Sequence, residues 1–432
     1  VFVPWSDGIR VKTSAPMKTP RRTILITDTP AELIMSDLML NLNEPNRIKD
    51  TSWIKPTKYV GIWWEMHLGV STWGSGDMHG ATTENTKRYI DFASEHGFGG
   101  VLVDGCNIGR DGNWYVYGYH YNFTTSYPDF DMPTLSKYAA EKGVSIIWHH
   151  ETGGGVINYE RQMKDAFRYY NRHGVTSIKT GYVKHGREIK RIDENGNVQY
   201  EWHHGQYMVE HYRRVVEEAA KHKLMINAHE PIKDTGIRRT WPNMVSREGA
   251  RGQEFNAWGE DGGNTPEHTL ILPFTRLLGS PMDFTPGIFD LLFEDARPNN
   301  RINTTLAKQL ALYVIIYSPI QMAADLPANY EANLPPFQFI KDVPADWQET
   351  VVLNADIANY LTIARKSRVN EEWFLGSITD HEGRALSVEL SFLDSEKKYV
   401  AQIYRDGDDA DWKTNPYQIT IEERLVDSID VL

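Results

Sequence analysis

The sequence contains a single cysteine, Cys106, among its 432 residues. One cysteine cannot form an internal disulfide and does not support a cysteine-based zinc site. No apolar run approaches the roughly 20 residues that span a bilayer, and no run of lysine or arginine could follow a phosphate backbone. The net charge is −12, with acidic and basic residues interleaved. The sequence therefore excludes membrane insertion and makes nucleic acid a poor partner.

Hydrophobic residues make up 41% of the chain and charged residues 24%, which is the composition of a folded protein with a sizeable core. The length exceeds that of one ordinary domain. Aromatic residues reach 12%, including 13 Trp and 22 Tyr. Most aromatic side chains pack in cores, but their faces also stack on sugar rings. The composition is thus compatible with a sugar-binding protein without requiring one.

Short apolar runs alternate with amphipathic segments along most of the chain. The runs predict eight strands, at 58–65, 100–104, 144–151, 175–179, 224–227, 244–246, 282–285 and 319–322. The intervening segments predict helices at 84–96, 135–142, 159–173, 207–221 and 304–316, with a hairpin at 188–200. Strands that alternate with helices form parallel sheets, and no Gly-x-Gly-x-x-Gly turn supports a doubly wound sheet. The pattern predicts an α/β fold, a (β/α)8 TIM barrel over residues 51–340.

The two ends of the chain differ from this pattern. From residue 341 to 432 the sequence pattern changes to short strand-like runs separated by turns, which predicts a C-terminal antiparallel β-sandwich. Residues 1–50 contain a strand-like run at 23–27 but are too few to bury a core alone. They are expected to be the end of a preceding domain and a linker.

Acidic residues follow the predicted strands, where the chemistry of a barrel is found. They are Glu65, Asp104, Glu151, Glu230, Glu248, Glu254 and Asp283. Any one of the glutamates could form an ordinary ion pair with a nearby arginine. Together they would make an anionic rim, which suits either the paired carboxylates of glycoside hydrolysis or a hard divalent cation.

Two other readings remain open from the residues alone. Histidines at strand ends permit an amidohydrolase-like metal barrel. However, His149 and His150 are adjacent on a predicted strand, so their side chains point to opposite faces and cannot readily share one metal. A carbohydrate-binding protein without catalysis is also possible, because a fold alone does not fix function.

Several longer strings carry a family resemblance. They are, in chain order, YVGIWWEMH, GVLVDGCNIGRDGNW, HHET, NAHEPI, REGARGQEF, LPFTRLLGSPMDF and QLALYVIIYSPIQMAADLP. With them the sequence resembles glycoside hydrolase family 97, and it is most similar to the inverting, calcium-dependent α-glucosidases of bacterial starch-utilisation systems.

The resemblance implies roles for individual residues. It makes Glu254 the general acid, and it makes Glu151 and Glu230 the general base that activates water. It implies a Ca²⁺ ion held by Glu230, Glu248 and Glu254. The positions that match substrate contacts are Asp104, Asn107, His149, Lys179 and His229. The implied reaction releases glucose from the non-reducing end of maltooligosaccharides or α-glucans with inversion.

A second branch of the family, the retaining α-galactosidases, uses an aspartate nucleophile at the end of the fourth strand. Gly181 lies in that region here, so retention is disfavoured. The sequence also departs from the family pattern at Cys106, where the motif has tryptophan, and at Asp104, where it has glutamate. An α-galactosidase and a catalytically inactive carbohydrate-binding relative remain the alternatives.

The resemblance carries further expectations about context. Residues 1–50 would be the tail of an N-terminal β-sandwich domain. The partner would be an oligosaccharide substrate, and the protein would be a monomer or homodimer. A periplasmic location is implied, although the first residues show no charged segment followed by an apolar one.

Overall fold

The computed structural model describes residues 2–17, 19–20, 22–116, 118–184 and 186–432. The strands of residues 57–322 are, in chain order, β1 (Thr57–Ile62), β2 (Gly100–Val103), β3 (Ser145–Glu151), β4 (Ser177–Gly181), β5 (Ile189–Ile192), β6 (Val198–Glu201), β7 (Met225–Ala228), β8 (Met244–Arg247) and β9 (Ile320–Met322).

Seven of these strands form one parallel sheet in the order β8, β7, β4, β3, β2, β1, β9. All residues of β2, β4, β7 and β8 are buried, as expected for strands covered on both faces. Strands β5 and β6 form the predicted hairpin outside this sheet. The parallel barrel predicted from the alternation is confirmed.

The predicted seventh strand, at 282–285, is the one barrel position that differs. Within the part of the chain that the structure describes, Met282 makes only a single bridge, to Arg247 at the end of β8. The Met282 N–H donates to the Tyr317 carbonyl (3.0 Å) and the Asp283 N–H donates to the Arg247 carbonyl (3.1 Å). This short segment therefore closes most of the gap between β8 and β9 without forming a ladder.

The α-helices of the described residues lie before, between and after these strands in the chain. They are α1 (Pro30–Ile34), α2 (Leu38–Asn41), α3 (Trp64–Leu68), α4 (Thr83–Glu95), α5 (Met132–Glu141), α6 (Val156–Arg172), α7 (Gln206–Lys221), α8 (Phe255–Trp258), α9 (His268–Ile271), α10 (Leu306–Ile315), α11 (Pro327–Glu331) and α12 (Leu334–Asp342). The five helices predicted from periodicity are all present, with ends within one turn of those expected. Of the helices described, not one is long and apolar enough to cross a membrane.

Side-chain caps define the beginnings of several barrel helices. The Thr82 side chain accepts a hydrogen bond from the Asn85 N–H at α4, and Asp131 and Thr305 act in the same way at α5 and α10. Each cap satisfies one of the backbone donors that the first helical turn leaves unpaired.

Two local expectations are corrected. Strand β1 ends at Ile62, and Glu65 lies in α3, where Asn85 Nδ2 donates to its carboxylate at 3.1 Å. Glu65 therefore belongs to the packing between two helices and not to the rim. The run at 23–27 forms no strand among the residues described, because no neighbouring strand offers its backbone as a partner, and Ile24 and Ile26 are exposed.

The C-terminal part consists of antiparallel sheets, as predicted. One has three strands, β10 (Trp347–Asp356), β11 (Tyr360–Ser367) and β12 (Trp373–Thr379), and a second pairs β13 (Tyr399–Asp406) with β14 (Ile419–Val426). Helix α10 packs against β12 at Gly376, where a Cβ atom would lie 2.9 Å from the Val314 Cβ. A glycine is required there because the helix and the strand approach so closely.

Candidate active site

A cavity of about 750 Å³ opens at the carboxyl ends of the barrel strands. Eight of the nine site residues predicted from the sequence line it: Asp104, His149, Glu151, Lys179, His229, Glu230, Glu248 and Glu254. The ninth, Asn107, is buried behind the lining, where its Nδ2 donates to the His149 carbonyl at 3.4 Å. The sequence-predicted residues thus converge on one opening.

Two of the glutamates are held by the same backbone segment after β4. The Tyr182 N–H donates to Glu230 Oε2 at 2.7 Å, and the Val183 N–H lies 3.4 Å from Glu151 Oε1. Glu151 Oε1 also accepts from the Gly153 N–H at 2.6 Å. Burial and the neighbouring Glu151 carboxylate raise the pKa of Glu230 to about 8. The two carboxylates therefore form one electrostatically coupled unit.

Gly181, the last residue of β4, gives this pair its shape. A Cβ atom at Gly181 would overlap Glu151 Oε2. Because Glu151 is fixed by backbone amides, it could not move aside without losing those hydrogen bonds. The absence of a side chain at position 181 is thus required for Glu151 to stand where it does.

Three further side chains form a separate cluster. The ligand atoms of His229, Glu248 and Glu254 all lie within 4.8 Å of one another. Burial and the Glu254 carboxylate raise the pKa of Glu248 well above its usual range. Burial acts in the same direction on Glu254, but the hydrogen bond from Glu248 and nearby positive charge lower the pKa of Glu254 on balance. The two glutamates therefore form a second electrostatically coupled pair, in which the ionised form of Glu248 is the one that burial and its neighbour disfavour.

This cluster could hold a metal ion. Carboxylate oxygens suit a hard cation, and Glu254 Oε2 is buried without a hydrogen-bond partner among the residues described. His229 is its third member, whereas the Glu230 carboxylate is directed at Tyr182 and only the Glu230 N–H reaches Glu248 Oε2, at 3.2 Å. Glu248 and Glu254 lie close enough to share an ion, and the predicted ligand set of Glu230, Glu248 and Glu254 stays a prediction.

The floor of the cavity is organised around Asp283. Its Oδ2 lies 2.8 Å from His229 Nε2 and 3.2 Å from Lys179 Nζ, and it accepts from Asn227 Nδ2 at 2.6 Å. Burial opposes ionisation, but the Lys179 charge and the hydrogen bonds hold the pKa of Asp283 well below its usual range. Burial and the Lys179 charge also lower the pKa of His229, against the opposing effect of Asp283. Asp283 thereby orients both neighbours toward the cavity.

A second buried ion pair supports the opposite wall. Arg110 Nη2 donates to Asp104 Oδ1 at 2.6 Å, and His149 Nδ1 lies 2.9 Å from the same oxygen. The Arg110 guanidinium stacks on the Trp114 ring at 4.3 Å. Burial opposes ionisation of Asp104, yet these cationic and polar partners hold its pKa well below its usual range. Asp104 therefore positions His149 and Arg110 in addition to any contact with substrate.

The sequence reasoning missed several cavity residues, because they follow no strand directly. Arg110, Trp114 and Trp258 lie in loops or in a short helix, and His203 and His204 follow the hairpin. The tryptophans offered a weak signal, since the chain is rich in aromatic residues and only some of them are buried.

Comparison with known families decides what this site belongs to. Residues 63–250 match the model of glycoside hydrolase 97, and residues 346–432 match its C-terminal model, described as oligomerisation. Together the two cover more than half of the chain. The chain belongs to glycoside hydrolase family 97. Membership of this family relates the chain to glycoside hydrolases, and its barrel carries the candidate site.

Individual members of family 97 resemble the chain over nearly all of its length. A retaining α-galactosidase of Bacteroides thetaiotaomicron is 30% identical in an alignment 429 residues long that covers 96% of this chain and 58% of that protein. A family 97 enzyme from Pseudoalteromonas sp. strain K8, solved in complex with acarbose, is 55% identical with a TM-score of 0.97 over 100% of this chain and 66% of that one. A variant of that enzyme in complex with panose agrees equally well, with 55% identity, a TM-score of 0.97 and the same coverage of 100% and 66%. The chain spans less than two thirds of the length of these relatives.

Proposed function

We propose that this chain carries the catalytic site of an inverting, exo-acting α-glucosidase that releases glucose from maltooligosaccharides or related α-glucans. The observation that carries the proposal is the arrangement of Gly181, Glu151 and Glu230. Position 181 has no side chain to act as a nucleophile, and the space it leaves is taken by Glu151. Because position 181 offers no nucleophilic side chain, the two coupled carboxylates beside it favour activation of water over formation of a glycosyl-enzyme bond.

In the proposed reaction, Glu151 and Glu230 orient one water molecule and accept its proton. Their inner oxygens are fixed by the amides of Gly153, Val183 and Tyr182. This leaves an oxygen of each carboxylate for the water. A base must be ionised when water attacks, and the raised pKa of Glu230 makes its carboxylate a strong proton acceptor once it is ionised.

Glu254 is proposed as the general acid that protonates the glycosidic oxygen. It lies on the loop after β8, on a different element from the Glu151 and Glu230 pair. An acid and a base on separate elements can stand on opposite faces of a sugar ring, as inversion requires.

A Ca²⁺ ion is proposed to be held by Glu248 and Glu254, with Glu230 as a further ligand from the adjacent strand. The ion would supply positive charge that stabilises the ionised form of Glu248. Lys179 and His229, anchored on Asp283, and His149, anchored on Asp104, are proposed to bind the hydroxyl groups of the glucose unit.

The substrate class is supported by the comparisons. Acarbose and panose, both built on α-linked glucose-type rings, are the ligands named for the relative that is 55% identical. The α-galactosidase relative is 30% identical. We further propose assembly through residues 346–432, whose matched model is described as oligomerisation, and a periplasmic location.

The alternative is an α-galactosidase, favoured by the name of the relative from Bacteroides thetaiotaomicron. The deciding experiment is ¹H NMR of the first sugar released, with maltotriose and 4-nitrophenyl α-galactoside as parallel substrates. The proposal expects β-glucose from maltotriose and little release from the galactoside. Release of α-glucose would overturn inversion, and faster release of galactose would establish the alternative. Binding of maltotriose without turnover would instead identify a noncatalytic relative.

A further inference from the structure

We propose that Trp258 is the platform for the leaving-group sugar, the ring on the reducing side of the bond that is cleaved. The proposal rests on the proposed function, because a leaving-group sugar exists only if the chain cleaves oligosaccharides. It adds a specificity-determining residue to a site whose other members hold the glucose unit and the water.

The first observation is the position of Trp258 relative to the proposed acid. Glu254 immediately precedes α8, and Trp258 is the last residue of that helix. Residues four apart in a helical turn lie on the same side. Both side chains line the cavity. Since the acid must reach the glycosidic oxygen, the sugar beyond that oxygen lies on the side of the cavity that α8 forms.

The second observation is the exposure of the indole. Trp258 is 51% exposed although it lines the cavity, whereas Trp63 in the same lining is 4% exposed. Removing a tryptophan ring from water is strongly favourable, so a ring left half open at a cavity mouth offers an unused apolar face. A pyranose ring presents a matching apolar face of C–H groups.

The third observation is that neighbouring side chains pack against the Trp258 ring. The Phe255 ring packs edge-on against Trp258 with a centroid separation of 4.6 Å, and the Arg251 guanidinium covers Phe255 at 3.7 Å. The end of α8 is fixed by Asn300, whose Nδ2 donates to the Gly259 carbonyl at 3.1 Å. A rigid ring loses little conformational entropy when a sugar stacks on it, which is what a binding platform needs.

The test compares two substrates on the full chain. Maltotriose places a sugar beyond the cleaved bond, whereas α-glucosyl fluoride has only a fluorine atom there, which leaves as fluoride ion with little acid assistance. For Trp258→Ala we expect kcat/KM for maltotriose to fall about tenfold, in line with the loss of one stacking contact, with α-glucosyl fluoride unchanged. Trp258→Phe keeps a ring and should recover most of the loss.

A matched control is Trp202→Ala. Trp202 is 39% exposed and lies outside the cavity lining formed by the residues described. It should leave both substrates unaffected. Equal loss on both substrates in Trp258→Ala, or no loss on either, would overturn the platform while leaving the proposed function intact. If the wild-type chain cleaves neither substrate, the proposed function fails and the platform fails with it.

Discussion

Glu151 and Glu230 are held by neighbouring backbone amides, those of Val183 and Tyr182. The two glutamates are 79 positions apart in the chain, and the β3, β4, β7 order of the sheet brings them together. Strand β4 lies between the strands that carry the two glutamates, so the loop after β4 can reach both. The coupling between these carboxylates is therefore a direct product of the sheet order.

Substitution of Gly181 tests this arrangement. In Gly181→Ala the new Cβ would displace Glu151 from its hydrogen bond with Gly153. We expect kcat for maltotriose to fall by about 10²-fold, the lower end of what a general base contributes, with a small change in melting temperature. Steady-state kinetics and calorimetry measure both. Gly383→Ala is the control, because no described atom lies within 4 Å of a Cβ there; unchanged kcat in Gly181→Ala would contradict the role of Glu151.

Substitution of the proposed acid should depend on the leaving group. Glu254→Gln removes the proton donor while keeping the side-chain shape. We expect kcat/KM for maltotriose to fall by about 10²- to 10⁴-fold and that for α-glucosyl fluoride to fall much less, because fluoride leaves without protonation. Kinetics with the two substrates measure the difference. Glu260→Gln, an exposed neighbour, should behave as wild type. Equal losses on both substrates would reject Glu254 as the acid.

Calcium removal should lower both activity and stability. Chelation is expected to abolish hydrolysis, and added Ca²⁺ to restore it. An ion present at 100 times its Kd stabilises a fold that binds it by about 2.7 kcal/mol, which thermal unfolding can detect. Glu248→Gln should lose this calcium-dependent shift, whereas Glu260→Gln should keep it. A shift that persists in Glu248→Gln would place the ion elsewhere.

Removal of the Asp104 charge should destabilise the fold at neutral pH. Arg110 is 5% exposed, and Asp104→Asn would leave its charge buried without compensation, at a cost of about 3–5 kcal/mol. The pKa of Asp104 is held below its unfolded value of about 4, so its contribution is fully present above that pH and is lost as the pH falls through the lower folded pKa. Urea unfolding at pH 7 and at pH 3 should show the difference between variant and wild type shrinking in acid.

The control for that experiment is Asp165→Asn. Asp165 pairs with Arg168 on the exposed face of α6, at 3.0 Å, and such a pair contributes little. Its loss should change the free energy of unfolding by less than about 1 kcal/mol. A difference in Asp104→Asn that is as small as this would show that the buried pair is not stabilising.

The sequence predicted the regular part of this molecule well, and the reason is physical. Fully buried parallel strands leave unbroken apolar runs, and the residues after them share one rim, so Glu151, Glu230 and Glu248 could be placed from the pattern alone. The single bridge at Met282 could not be predicted, because the apolar run there is the same whether the segment forms a ladder or one bridge.

The remaining errors and omissions come from contacts that are distant in the chain. Glu65 follows an apolar run, but α3 begins there and turns it toward Asn85. Asp283 was expected only as a rim acid, and its role depends on Lys179 and His229 arriving from other strands. Such partners are set by sheet order, which local pattern does not encode.

The bridge at Met282 has a consequence for how this enzyme family can diversify. Between Arg247 and Met282 the chain leaves the sheet, and this excursion carries both Glu254 and Trp258, while Glu151 and Glu230 end regular strands or follow them directly. In the proposed mechanism, changes of length or composition at 255–281 would alter the binding of the leaving group without disturbing the strands that position Glu151 and Glu230. The proposal thus assigns leaving-group preference and stereochemical outcome to separate parts of the backbone.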